Sequence, residues 1–436
     1  MRKSITFLLP VVLLFLGNIS FSQTTDSPYQ IGKWQGFKAG AVCFTFDDNC
    51  PNQLAVAMPM FDQHGFKMTF FTVINWGPNW SQLKTAAANG HEIASHTLSH
   101  SSLGGLSDAQ QTTELKNSQD DINAQINGNQ CMTIAYPNCV TGNKSICGQY
   151  YIAARGCSGQ IETSTPADFM NISSFVCGQL GSVQTSQDFN DKADAAAASN
   201  GLVVFLIHAI DNDPGYSPTT SDNIRGALDY LQTNNNKFWV STFSNIARYI
   251  KERNDASILE VSVSDTSIAL FLAGTLPDSI YNYPITIRRQ LPNGWSSFSV
   301  MQNNIIINSR LVDTNSVKYV EFDAVPDNGE IVISRDKVTG IEKNNLSDLK
   351  MFNLKQNYPN PFNPSTVISY KLPQASFVTL NIYNLLGQKV TTLVNKNQNA
   401  GTYEVNFDAY KLANGIYFYS IESGKYVQVK KMMLLK

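Results

Sequence analysis

The chain has 436 residues, 43% of them hydrophobic and 15% charged, with a formal net charge of −2. That length suits about two to four domains and that composition allows a sizeable core. The charge balance excludes the basic footprint of a nucleic-acid binder, and no stretch beyond the N-terminus is apolar for long enough to span a bilayer.

The first 22 residues read as a secretory signal peptide. Arg2 and Lys3 form a basic start, an apolar run follows, and small residues lie near Ser22. Export permits disulfides, and all seven cysteines fall in the first half of the chain. Their odd number leaves at least one free thiol, and their spacing does not assign the pairs.

From about residue 38 to 253 strand and helix patterns alternate. "GAVCFTF" is a buried strand, and "NQLAVAMPMFDQHG" is helix-like and stops at Gly65. "FKMTFFTV" is a second strand, "SQLKTAAANG" a short helix from Ser81 to Gly90, and "HEIAS" a third strand. Ser107 and Gln110 form a capping-box start for a helix to about Ile126. "GLVVFLI" (201–207) is a continuous apolar strand, and "FWVSTFSNIARYIKERN" closes the region as strand and helix. Alternating βα units predict a parallel sheet or barrel with helices outside.

The pattern then changes. Residues 257–336 contain short strands separated by turn residues, from "ILEVSVSDTSIALFLAG" to "EIVISR", and predict an all-β accessory domain. Trp295 and nearby tyrosines there are weak candidates for stacking on a sugar ring. Residues 337–351 are polar and read as a linker. Residues 352–436 read as a second all-β domain.

Chemistry concentrates at the ends of the α/β strands, where parallel folds collect their functional residues. The first long strand ends on Asp47 and Asp48. His96 and His100 follow "HEIAS", and His208 follows "GLVVFLI". One aspartate with two histidines leaves open positions on a divalent cation. The other aspartate can then act as a base and His208 as a general acid. Alone, a paired aspartate or an HxxxH is weak evidence; their joint occurrence after successive strands is the signal. His64 and His91 lack that context and read as structural.

At these residues the chain resembles the polysaccharide deacetylase family, the NodB-homology group or carbohydrate esterase family 4. "TFDD" (Thr45–Asp48) and "HTLSH" (His96–His100) match its first two motifs, and "LIHAI" its last. The resemblance implies a deformed (β/α) barrel over residues 30–254, and the strand patterns beyond it predict two all-β sandwich-like domains. It implies Asp47 as catalytic base, Asp48, His96 and His100 as metal ligands, and His208 as general acid. Zinc is the first candidate metal, with cobalt, nickel or manganese as alternatives. The third motif departs from the family pattern. In "IAYPNC" Pro137 fits and Asn138 would supply the oxyanion N–H, but Ala135 stands where the family has arginine. Arg155 is the candidate replacement, and Asp168 and Asp211 are the candidates to pair with His208.

"NYPNPFNPSTVISYKLP" and the strands that follow resemble a type 9 secretion sorting domain, which implies passage through the periplasm to the cell surface or medium. The expected partners are an acetylated polysaccharide and the type 9 secretion machinery, without nucleic acid or a stable membrane span. The expected activity is metal-dependent removal of N- or O-linked acetyl groups. The alternative is a catalytically impaired, deacetylase-like carbohydrate-binding or adhesion protein.

Overall fold

The computed structural model describes residues 27–336 and 353–436, apart from positions 127, 129, 386 and 425. The signal peptide (1–22) and the linker (337–351) lie outside the described residues.

The first strand, β1 (Tyr29–Ile31), does not join the α/β sheet that follows it. That sheet is built from β2 (Gly40–Asp47), β3 (Thr69–Thr72), β4 (Glu92–Ser95), β5 (Thr133–Ala135), β6 (Ala153–Arg155), β7 (Phe175–Val176), β8 (Leu202–Ile207) and β9 (Phe238–Val240). All pairings are parallel, in the order β6-β5-β4-β3-β2-β8-β7, with β9 also on β2. Ile172 bridges Arg155 at one edge while β7 pairs with β8 at the other, so segment 172–176 draws the two edges together. The result is the expected deformed (β/α) barrel.

The helices are α1 (Met58–Gln63), α2 (Trp80–Ala88), α3 (Asp108–Gln125), α4 (Lys144–Cys147), α5 (Ser186–Ala198), α6 (Ser221–Thr233) and α7 (Phe243–Asp255). Two starts differ from the sequence reading. The segment before α1 is a π-helical turn, Gln53–Ala57, and α2 begins at Trp80 because Asn79 Oδ1 accepts the Gln82 N–H. Ser107 and Gln110 form the expected box at α3. Gly40 shows how closely helix and sheet approach: a Cβ there would lie 2.8 Å from the Ala197 main chain of α5.

Side-chain alternation divides the barrel into two layers. Val42, Phe44 and Phe46 of β2, with Val203, Phe205 and Ile207 of β8, pack outward against the helices. Ala41 and Cys43, with Leu202 and Val204, face inward, joined by Ala94, Ala135 and Ala153. The inward residues near the site are small, which leaves room at the barrel's C-terminal end.

The second unit has two antiparallel sheets made from β10 (Ser257–Val263), β11 (Ser267–Ala273), β12 (Ile285–Gln290), β13 (Phe298–Gln302), β14 (Ile305–Ile307), β15 (Ser309–Thr314), β16 (Val317–Ala324) and β17 (Glu330–Arg335). One sheet has the order β1-β12-β16-β15, so the N-terminal strand completes the accessory domain. The barrel's α7 contributes Phe243, Ile246, Tyr249 and Ile250 to a core shared with Ile268, Ile285 and Phe322. Trp295 is buried in that same core, not offered to a ligand. The third unit is also all-β, with a three-stranded and a four-stranded sheet over residues 353–434.

At the junction, Glu252 of α7 is buried. Its Oε1 accepts the Tyr283 N–H at 2.7 Å, and its Oε2 has no hydrogen-bond partner. Burial, only partly opposed by that bond and by Arg248, pushes the Glu252 carboxyl up to about 7. A carboxyl raised by folding gives its full stability below its unfolded pKa of about 4.3. That contribution is lost as pH rises through about 7. Glu252→Gln keeps the acceptor for Tyr283 and removes the titration. Between about pH 5 and about pH 8, the thermal midpoint of the wild type is expected to fall more than that of E252Q.

Candidate active site

The parallel register brings the strand ends to one level. Asp47 stands opposite Phe71, Phe71 opposite Ala94, and Ala135 opposite Arg155, while Phe46 pairs with Ile207 just before His208. Continuing the inward alternation of each strand leads from Cys43 to Asp47, from Ala94 to His96, from Ala153 to Arg155 and from Val204 to His208. Asp48 has the wrong parity to join them. Its φ of 71° turns the chain left-handed immediately after β2 and brings its carboxylate back to the same side.

Asp47 and Arg155 are both fully buried and form a two-pronged ion pair. The Arg155 guanidinium donates to Asp47 Oδ1 at 2.9 Å and to Oδ2 at 2.7 Å. It also donates to Thr45 Oγ1 at 3.1 Å, and that hydroxyl donates to the Phe205 carbonyl at 2.7 Å. The guanidinium lies 5.2 Å from the Phe71 ring centre. Burial alone raises the Asp47 pKa, but opposing effects, led by the charge of the Arg155 guanidinium and supported by its hydrogen bonds, hold the carboxyl below its ordinary value.

Opposite this pair stand three donors with little bonding of their own. Asp48 Oδ1 lies 3.5 Å from His96 Nε2 and 3.3 Å from His100 Nε2, and it is buried without a hydrogen-bond partner. The three ligand atoms lie within 4.8 Å of one another. His96 Nδ1 is 2.9 Å from the Ala135 carbonyl, which can only accept, so Nδ1 carries the proton and Nε2 presents a lone pair to Asp48. Burial lowers the His96 pKa further than the neighbouring aspartates raise it, which favours this neutral ring. An orphaned carboxylate oxygen and a neutral imidazole oriented from behind suit a divalent cation.

The backbone around these groups is held by side-chain clips. In the loop carrying His100, Thr97 Oγ1 accepts the His100 N–H at 3.1 Å, and Glu114 of α3 accepts from Ser99 N and Oγ at 2.8 and 2.6 Å. Asn49 bonds both the N–H and the carbonyl of Val73. The buried Gln53 amide donates to the main-chain carbonyls of Asp47 and His208, joining the ends of β2 and β8. Sequence reading did not single out Gln53, whose role appears only when β2 and β8 are adjacent.

His208 Nε2 lies 3.8 Å from Asp48 Oδ2, while its buried Nδ1 has no hydrogen-bond partner. Neither candidate aspartate supplies one. Asp168 pairs with Lys144 in an exposed position, and Asp211 accepts the Ser221 N–H at 2.8 Å to help start α6. Asn138 has a φ of 53° at the second position of a one-turn helix, where its N–H has no acceptor within the turn. Cys139 beside it forms a disulfide with Cys157, two residues beyond Arg155. Cys43, Cys50, Cys131, Cys147 and Cys177 are free and buried. His64 and His91 lie elsewhere, bonded to Asp229 and Asp62.

Asp47, Asp48, His96, His100, Asn138, Arg155 and His208 thus line one cavity of about 460 Å³. Residues 35–147 match the polysaccharide deacetylase family model, and residues 356–435 match the secretion system C-terminal sorting domain. Two separate segments of the chain are thus similar to a polysaccharide deacetylase domain and to a secretion sorting domain. A gellan lyase from Bacillus sp is 30% identical over 329 residues, a match covering 70% of this chain and 13% of that protein. Among solved structures, a family 4 acetyl xylan esterase from Clostridium thermocellum has a TM-score of 0.33 at 21% identity, covering 47% of this chain and 89% of that one. Peptidoglycan deacetylase PdaC from Bacillus subtilis has a TM-score of 0.32 at 16% identity, covering 49% of this chain and 93% of that one. No helix among the described residues is long and apolar enough to cross a membrane.

Removing one partner of a fully buried ion pair leaves the other charge uncompensated. Arg155→Ala is expected to cost about 3–5 kcal/mol in denaturant unfolding. Arg155→Lys keeps the charge without the fork. It should retain most of that stability in the same unfolding measurement, because the buried Asp47 carboxylate keeps a cationic partner.

Proposed function

We propose that this chain is a secreted, metal-dependent carbohydrate deacetylase that removes acetyl groups from a polysaccharide. The observation that carries the reading is the facing arrangement of two unlike sets in one cavity. An oriented, ionised Asp47 stands against the donor trio Asp48, His96 and His100. The sorting domain supports delivery to the cell surface or the medium through the periplasm.

Asp48, His96 and His100 would hold the cation. When bound, a divalent ion there supplies Lewis acidity, polarising an acyl oxygen and acidifying water. Asp47 accepts a proton from the attacking water as the new C–O bond forms. Arg155 keeps the Asp47 carboxylate ionised and fixes both its oxygens, so the base is ready without reorganisation. The Asn138 N–H is available to a developing oxyanion. His208, as imidazolium, gives its proton to the departing nitrogen or oxygen as the acyl bond breaks, releasing acetate and an amine or alcohol. Arg155 in contact with Asp47 favours the enzyme over the binding-only alternative, since a merely adhesive scaffold has no need of an oriented buried base.

The test is acetate release by the full chain across a panel of acetylated polysaccharides, covering chitin, peptidoglycan and xylan. Activity is expected on at least one, abolished by a chelator and restored by added zinc or cobalt. Asp47→Asn should reduce kcat by about 10²–10⁴-fold, the usual worth of a general base, while metal content by elemental analysis stays at the wild-type level. Chelator-resistant activity, or full activity in D47N, would overturn the reading.

A further inference from the structure

Of the aromatic side chains described between residues 27 and 336, two are exposed: Trp76 at 50% and Tyr216 at 49%. Both stand at the candidate active site. Trp76 stacks on His100 with ring centres 4.7 Å apart, and Tyr216 meets His208 edge to face at 5.1 Å. Trp76 lies in the loop after β3 and Tyr216 in the loop after β8. Those two strands flank β2 on opposite sides, so the aromatics bracket Asp47 and Asp48.

Both loops are held in place. Asn75 N donates to the Leu98 carbonyl at 2.9 Å, tying the Trp76 loop to the segment that carries His100. Gly77 closes the turn with a φ of 66° and donates to the Ile74 carbonyl. In the Tyr216 loop, Asp213 Oδ2 accepts the Asn52 N–H at 2.8 Å, and Ser217 Oγ donates to the Cys177 carbonyl at 2.9 Å. Large, exposed apolar rings on held loops beside a polar cavity mark a ligand surface.

Resting on the deacetylase reading, we infer that Trp76 and Tyr216 are stacking platforms for two pyranose rings of the substrate. They receive the apolar C–H faces of the sugars on either side of the ring being deacetylated. A polysaccharide crossing the barrel mouth then occupies at least three consecutive positions: Trp76, the centre and Tyr216. The site therefore prefers an internal unit of a chain to a free monosaccharide or a chain end. Each aromatic carries part of the catalytic geometry's surroundings as well, since each touches a site histidine.

The test uses the full chain, oligosaccharides of one to six units from an acetylated polymer of the panel, and 4-nitrophenyl acetate as a sugar-free substrate. Wild-type kcat/KM should rise steeply between one and three units. Trp76→Ala and Tyr216→Ala should each lose roughly tenfold or more on the longer oligomers beyond whatever they lose on 4-nitrophenyl acetate. Trp76→Phe and Tyr216→Phe should recover much of that loss. Metal content is measured for each variant, because Trp76 packs on His100. A flat length dependence, or equal losses on all substrates, overturns the platforms while leaving the deacetylase reading intact. A wild type inert towards the whole panel overturns that reading instead. Tryptophan fluorescence titration with the same oligosaccharides then decides the platforms separately. Quenching that disappears in W76A and weakens in Y216A supports them, and its absence in the wild type removes them.

Discussion

The site depends on keeping one buried carboxylate charged and aimed. Asp47 has almost no contact with water, so it needs a partner that satisfies both oxygens. Arg155 does this from the far edge of the sheet, 108 positions along the chain. Of the strands between them, β3 presents the Phe71 ring, 5.2 Å from the guanidinium, and β4 and β5 present the small Ala94 and Ala135 inward. Larger side chains there would fill the space that the guanidinium crosses. The same arginine bonds Thr45, which in turn bonds the Phe205 carbonyl. One side chain thus ties β2, β6 and β8 around the Asp47 carboxylate.

Much of this was legible in the residues themselves. The strand order of apolar runs, the carboxylate pair after the first long strand and the histidines after the later ones located the cavity lining correctly in chain position. The inward parity of each strand was not legible, because runs such as "GLVVFLI" are apolar on both faces. Nor was the left-handed turn at Asp48, since aspartate enters that conformation without a sequence mark. Arg155 could be named only as one of two readings, because its contact is entirely non-local. The Asp168 and Asp211 candidates failed for a related reason. Nearness in the chain to a motif or to His208 says little about which way a loop carries a side chain, and both are used elsewhere.

Small or irregular pieces were missed for lack of pattern. Strand β15 is polar or half-exposed along most of its length and carries no alternation strong enough to read. The aromatics at the rim sit in "NWGPNW" and "DPGYSP", where proline and glycine signal only a loop. By contrast, Trp295, the aromatic that looked available for a sugar, lies inside the core shared by the barrel and the accessory domain. Exposure separates these cases, and exposure is a property of the assembled fold.

Strand β1 brings a different consequence. Tyr29 stands opposite Arg289, so the first strand of the described chain finds its neighbour only when β12 exists. A polypeptide emerging from its N-terminus, whether from a ribosome or through a translocation pore, must hold that segment unpaired while the whole α/β region passes. Final closure of the two-unit body is therefore a late, long-range event. Such delayed maturation keeps the leading end pliant for as long as the trailing accessory strands have yet to arrive.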